Sequence, residues 1–172
     1  MKKIYSIIAL LLTIFSLAQV STTRINEFKL GEKKSELEKI IGKPIHITLD
    51  EYNYPSNPSN VVYKGVVYEL YFSPSYDDEG NVSNEYMLNS VRSKDKTLKT
   101  LSGIKIGSSF DELINKFKDY NIEINDSWND NGNRIKTERL FTINDYDAGT
   151  YLVFTLKNGK VTEFYVGYNE GC

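Results

Sequence analysis

Cysteine is nearly absent from these 172 residues: the only one is Cys172, at the last position. A single thiol cannot close an intramolecular disulfide, so the fold must rest on core burial. Histidine is as scarce. His46 is the only one, which excludes HExxH and multi-histidine zinc sites and leaves any Ser-His-Asp device a single candidate base. It stands in the alternating run Ile45-His46-Ile47-Thr48-Leu49, opposite the apolar side of an expected strand, where an exposed histidine is the plain reading. No Walker loop, GxGxxG or GxSxG elbow occurs. An excess of positive charge is lacking too. The 21 Lys and Arg are dispersed among 23 Asp and Glu, so nucleic-acid binding lacks its main driving term.

One long apolar run exists, over 4–17, preceded by Lys2 and Lys3 and ending in Ser16-Leu17-Ala18. A basic start, an apolar stretch and small residues before a cut at Gln19 read as a secretory signal peptide over 1–18. The run is shorter than the roughly 20 residues a transmembrane helix needs. Its removal leaves 154 residues and takes two lysines, moving the formal charge from −2 to −4. Ser-Leu-Ala-Gln stands where a bacterial lipoprotein carries its lipidated cysteine, so anchoring there is not expected. The expectation is an exported bacterial protein, periplasmic or extracellular, monomeric, with no further membrane segment.

The chain then repeats itself. Lys29-Leu30-Gly31, Glu36-Leu37 and Ile41 return 76 residues later as Lys105-Ile106-Gly107, Glu112-Leu113 and Phe117. After the first copy come Val- and Tyr-rich runs at 45–52, 61–72 and 87–91; after the second come runs at 134–143, 151–156 and 161–168. β-branched and aromatic residues between Gly, Asn, Asp and Pro clusters read as strands. Asn158-Gly159 suits a type I′ hairpin turn. Ser109-Phe110-Asp111-Glu112 is a capping box, and Phe110, Leu113, Ile114 and Phe117 fall on one helical stripe. The first copy has Lys33 at the cap position, a shorter stripe of Leu37, Ile40 and Ile41, and a Gly42-Lys43-Pro44 stop, so its helix is expected to be the weaker. These patterns predict an α+β fold of two tandem units, 19–95 and 96–172. In each, a helical segment would pack on one face of an antiparallel sheet.

The motif Phe28-Lys29-Leu30-Gly31 followed by Glu36-Leu37, Ile40-Ile41 and Gly42-Lys43-Pro44 resembles the helical signature of the β-lactamase-inhibitor-protein-like fold. It is similar, too, to the small lipoprotein subunit of the bacterial outer-membrane β-barrel assembly machinery. That resemblance implies helices lying on an antiparallel sheet, with a tandem arrangement as in the inhibitor. This chain departs from both families. It lacks the inhibitor's disulfides and the assembly subunit's lipidated cysteine, and its second copy reads Lys118-Asp119-Tyr120 in place of the Gly-Lys-Pro stop.

A helix covers one face of a sheet and leaves the other to water or a partner. Alternation puts Leu152, Phe154 and Leu156 inward with Tyr68, Leu70, Phe72, Phe164 and Val166; Tyr71, Tyr151 and Tyr165 then face outward. Thirteen tyrosines are many, and tyrosine suits interfaces because it joins area to a hydroxyl. It also suits half-exposed strands as such. Trp128, in a polar loop, is either folded back on the core or a binding anchor. The loop from Ser127 to Glu138 is reminiscent of a calcium loop but has serine at its first position and strand-like alternation beyond, so a hairpin is expected. Asp77-Asp78-Glu79 and Asp145-Tyr146-Asp147 are carboxylate groups in turn-like stretches, where surface loops are the simpler reading. The expected function is a non-enzymatic module, inhibitor-like or immunity-like, that binds another protein with Tyr71, Trp128, Tyr151 and Tyr165 and takes no cofactor. A structural or assembly role in the cell envelope is the alternative, and a small-ligand or calcium module comes third.

Overall fold

The computed structural model describes residues 20–76, 79 and 82–169; the expected signal segment and Cys172 lie outside them. Three two-residue strands come first, β1 (Val20–Ser21), β2 (Arg24–Ile25) and β3 (Phe28–Lys29), forming a small sheet of their own. Helix α1 (Lys34–Ile41) follows, then β4 (Ser59–Tyr63), β5 (Val66–Tyr76) and β6 (Val82–Ser93). The second half runs α2 (Phe110–Phe117), β7 (Ile122–Trp128), β8 (Arg134–Asp145), β9 (Thr150–Lys157) and β10 (Lys160–Tyr168). β4 to β10 make one antiparallel sheet in the order β4-β5-β6-β10-β9-β8-β7.

The α+β expectation is overturned. Strands make up 52% of the structure and helices 11%, so the fold is mostly β with two sheets, and helices do not pack on each of them. The reason is length. Each helical stripe is eight residues, about two turns, and Gly42 ends α1 with φ 72° and a backbone bond to the Glu38 carbonyl. The β-branched and aromatic runs, by contrast, extend as far as the twelve residues of β6 and β8.

Two strands expected from sequence are different in the structure. The run 61–72 is a hairpin, because Lys64 and Gly65 take φ of 49° and 81° and turn the chain between β4 and β5. The run 45–52 is irregular. Asp50 Oδ1 accepts the N–H groups of Tyr52 and Tyr54, and Ser59 donates its hydroxyl to the His46 carbonyl at 2.5 Å. Local side-chain bonds of this kind compete with ladder pairing. At the other end Asn158 and Gly159, with φ of 51° and 72°, form the expected turn between β9 and β10.

The repeat is visible in the backbone. The two helices start 76 positions apart and have equal length. Gly31 N–H bonds to the Leu88 carbonyl and Leu88 N–H returns to Glu32; Gly107 and Val161 do the same, with Val161 N–H returning to Ser108. The last strands of the two halves, β6 and β10, pair with each other through Ser93 with Phe164 and Val91 with Val166. One face of the long sheet carries the core: Tyr68, Leu70, Leu88, Val91, Phe141, Phe154 and Phe164 are fully buried. Ile25 and Phe28 cover it in the first half, and Leu37, Leu113 and Phe117 bury beside it from the helices.

Candidate binding face

The opposite face is built by the outward half of each strand's alternation. Across the β6–β10 seam, register places Glu69, Arg92, Tyr165, Val153 and Thr142 in one row. The next row reads Tyr71, Ser90, Gly167, Tyr151 and Asn144. Two small residues therefore lie between Tyr71 and Tyr151, and the Tyr151 ring leans over Gly167. Tyr165 is the centre, 6.3 Å from the Tyr71 centroid edge-on and 5.9 Å from Tyr151. Gly167 leaves the Tyr151 ring its place: a Cβ would stand 3.1 Å from the Tyr151 hydroxyl and 3.3 Å from Ser90 Cβ, so the ring would have to shift by a few tenths of an ångström.

Arg92 organises the cluster electrostatically. Its guanidinium lies 5.6 Å from the Tyr71 ring and 5.3 Å from the Tyr165 ring. Glu69 sits 3.5 Å from its Nη1 and Glu163 3.4 Å from its Nε. Arg92 Nε is itself buried and has no aligned hydrogen bond, so charge and ring faces hold the group in place. Lys94 joins Glu163 at 3.3 Å, and the Thr155 hydroxyl donates to the same carboxylate. The Tyr71 hydroxyl donates to Glu69 at 3.3 Å. Burial pushes that hydroxyl above the usual tyrosine range, with Arg92 pulling the other way. The result is a pre-ordered, charge-balanced aromatic platform. Beside it, a cleft of about 350 Å³ opens between Ser90, Tyr151, Tyr165 and Tyr168.

Trp128 is not part of this cluster. It ends β7, the far strand of the sheet, and is 62% exposed, so it neither folds back on the core nor meets the tyrosines. The loop after it is the turn of the β7–β8 hairpin. Asn129 Oδ1 accepts the N–H groups of Asn131 and Asn133, and Ser127 bonds Glu138 at 2.5 Å, so the calcium-like spacing is spent on turn closure. His46 is exposed in the irregular segment. Of the acidic stretches, Asp77 and Asp78 lie outside the described residues, and Asp145 accepts the Thr22 hydroxyl at 2.8 Å and the Ala148 N–H at 3.1 Å. Among the described residues no group of three or more Cys, His, Asp or Glu is disposed to hold a metal.

Sequence reasoning brought out the three tyrosines but missed Arg92, Ser90 and Gly167, which join them. Alternation alone gives Arg92 an outward position; its partners depend on β6 pairing with β10, more than 70 residues away. No family model matches the chain, and no match was found among curated proteins or solved structures.

Proposed function

We propose that this is an exported, non-enzymatic module that binds another protein with the open sheet face centred on Tyr71, Tyr151 and Tyr165. The observation that carries the reading is the Arg92-centred tyrosine cluster. It gathers side chains from β5, β6, β9 and β10 on the face away from the core. Interface hot spots are enriched in tyrosine and arginine, and rings already ordered lose little entropy on binding. The seven strands hold five to twelve residues each, and at about 3.3 Å per residue and 4.8 Å between strands the face spans roughly 1,000 Å². That is room enough for the roughly 800 Å² per partner of a standard interface.

Cross-linking on cells that export the protein tests it. The wild type is expected to give a discrete cross-linked partner. Tyr71→Ala with Tyr165→Ala is expected to weaken that complex about 30-fold, the effect of losing a hot spot of about 2 kcal/mol. Circular dichroism confirms that the variant stays folded. A folded double variant that retains the same partner at full strength refutes the tyrosine face as the binding surface.

A further inference from the structure

On the helix-bearing side of the sheet lies a groove with a different character. It encloses about 870 Å³ between β1, the turn at 100–102, the end of α2 and the β8–β9 connection. That volume is in the range of sites that bury a ligand. Its floor is apolar: Val20, Phe117, Ile143 and Leu152. Its rim carries Leu101, Tyr120 and Tyr146, which are 84%, 60% and 64% exposed. Apolar groups left this open beside an apolar floor mark a surface built for contact.

The charged side chains that line the groove have one sign, Lys118 between Phe117 and Asp119 standing outside the lining. Asp119, Asp145 and Asp147 line it, and none of its described lining residues is Lys, Arg or His, although the chain has 21 Lys and Arg. Asp145 is fixed in place by the Thr22 hydroxyl and the Ala148 N–H. An apolar floor under a negative rim is complementary to an apolar body bearing positive charge. The carboxylates come from two elements, the end of α2 and the β8–β9 turn, which suits more than one cation.

We infer that this groove binds a short basic peptide segment, an apolar or aromatic side chain entering the floor while neighbouring lysines or arginines meet Asp119 and Asp147. This goes beyond the tyrosine face and does not depend on it. The two surfaces involve different residues, so either can fail while the other stands.

The probe is the fluorescently tagged peptide acetyl-Leu-Phe-Lys-Lys-amide, titrated with the protein and followed by anisotropy. Saturable binding is expected, weakening as salt screens the rim. Replacing both lysines by norleucine should weaken binding about ten-fold, and so should Asp119→Asn with Asp147→Asn. Leu101→Ala, an exposed change that leaves the core alone, should weaken it as well. The inference is overturned by equal binding of the norleucine peptide, or by unchanged affinity in the folded aspartate variant. It also fails if light scattering shows a second copy of the chain filling the groove, seen as a concentration-dependent rise in mass that the aspartate variant abolishes.

Discussion

The two halves of the molecule start from one template and solve it with different means. In the second, Ser109 Oγ accepts the Glu112 N–H, Glu112 reaches back to the Ser109 N–H, and both Leu113 and Phe117 are buried. Phe117 then packs on Phe154 at 5.7 Å and Phe141 at 6.4 Å. In the first, Lys33 offers no side-chain cap, only Leu37 is buried and Ile40 is 38% exposed. The first half is anchored instead by the segment before its helix. Phe28 lies 4.4 Å from Tyr68, and Asn26 donates to the Tyr68 hydroxyl at 2.5 Å. A repeated helical signature thus fixes where the chain turns, while the aromatic residue it carries decides whether helix or N-terminal segment bears the core.

The hardest test of that contrast compares Phe117→Ala with Ile41→Ala, the equivalent positions. Phe117 is buried against the rings of Phe141, Phe154 and Tyr120, so its loss should cost about 3–5 kcal/mol, a large part of a normal domain's stability. Ile41 is half-buried and should cost under about 2 kcal/mol. Urea midpoints measure both. Because β6 and β10 are hydrogen-bonded in a continuous sheet, each variant should still unfold in one transition. Equal costs, or a second half that melts separately in Phe117→Ala, break the comparison.

Alkaline pH separates the halves by the chemistry of their aromatics. Burial pushes the Tyr68 hydroxyl up to about 12, the Asn26 bond opposing it and the charges of Glu27 and Asp95 adding to it. The unfolded chain releases this proton near pH 10. Below that, Tyr68 contributes its full stability; as pH rises from about 10 through about 12, the unfolded state gives up the proton first and stability falls. The fall should be roughly 2–3 kcal/mol. The core aromatics of the second half are phenylalanines and do not titrate, so the alkaline loss should originate in the first half while the continuous sheet still unfolds in one transition. Tyr68→Phe should flatten the alkaline limb at a cost of about 1 kcal/mol for the lost hydrogen bond. An unchanged limb in that variant would remove Tyr68 as its cause.

Much of this contrast could be read from the residues, and what could not has a physical cause. Alternation in 151–156 and 161–168 placed the second-half core and Tyr151 and Tyr165 on opposite faces, because period 2 is local. Ser109 and Glu112 announced their cap for the same reason. The mostly-β balance was missed because a strong helical stripe says nothing of how little chain it covers. Lys64-Gly65 was read through as strand, since lysine is an uncommon residue at positive φ. Strand β7 was not foreseen: Glu123, Asn125 and Asp126 depress strand propensity, and pairing with β8 overrides it. Arg92 reached the tyrosines only through the β6–β10 pairing, a long-range choice that no local pattern encodes.

The smallest effect sharpens the comparison most directly, because it transfers one half's device to the other. Lys33 holds φ −68° and ψ 143°, the extended geometry of a cap residue, and its N–H already meets Glu36 Oε2 at 3.2 Å. The Glu36 N–H bonds the Lys33 carbonyl at 3.0 Å and meets no side-chain oxygen. Lys33→Ser supplies one and should stabilise by about 0.5–1 kcal/mol, whereas Ser109→Ala removes one and should cost about 1 kcal/mol. At about 2–4 °C per kcal/mol for a chain of this size, calorimetry resolves both shifts, in opposite directions. If Lys33→Ser leaves Tm unchanged while Ser109→Ala lowers it, then the weakness of α1 lies in its thin buried stripe, and the cap is a consequence of little weight.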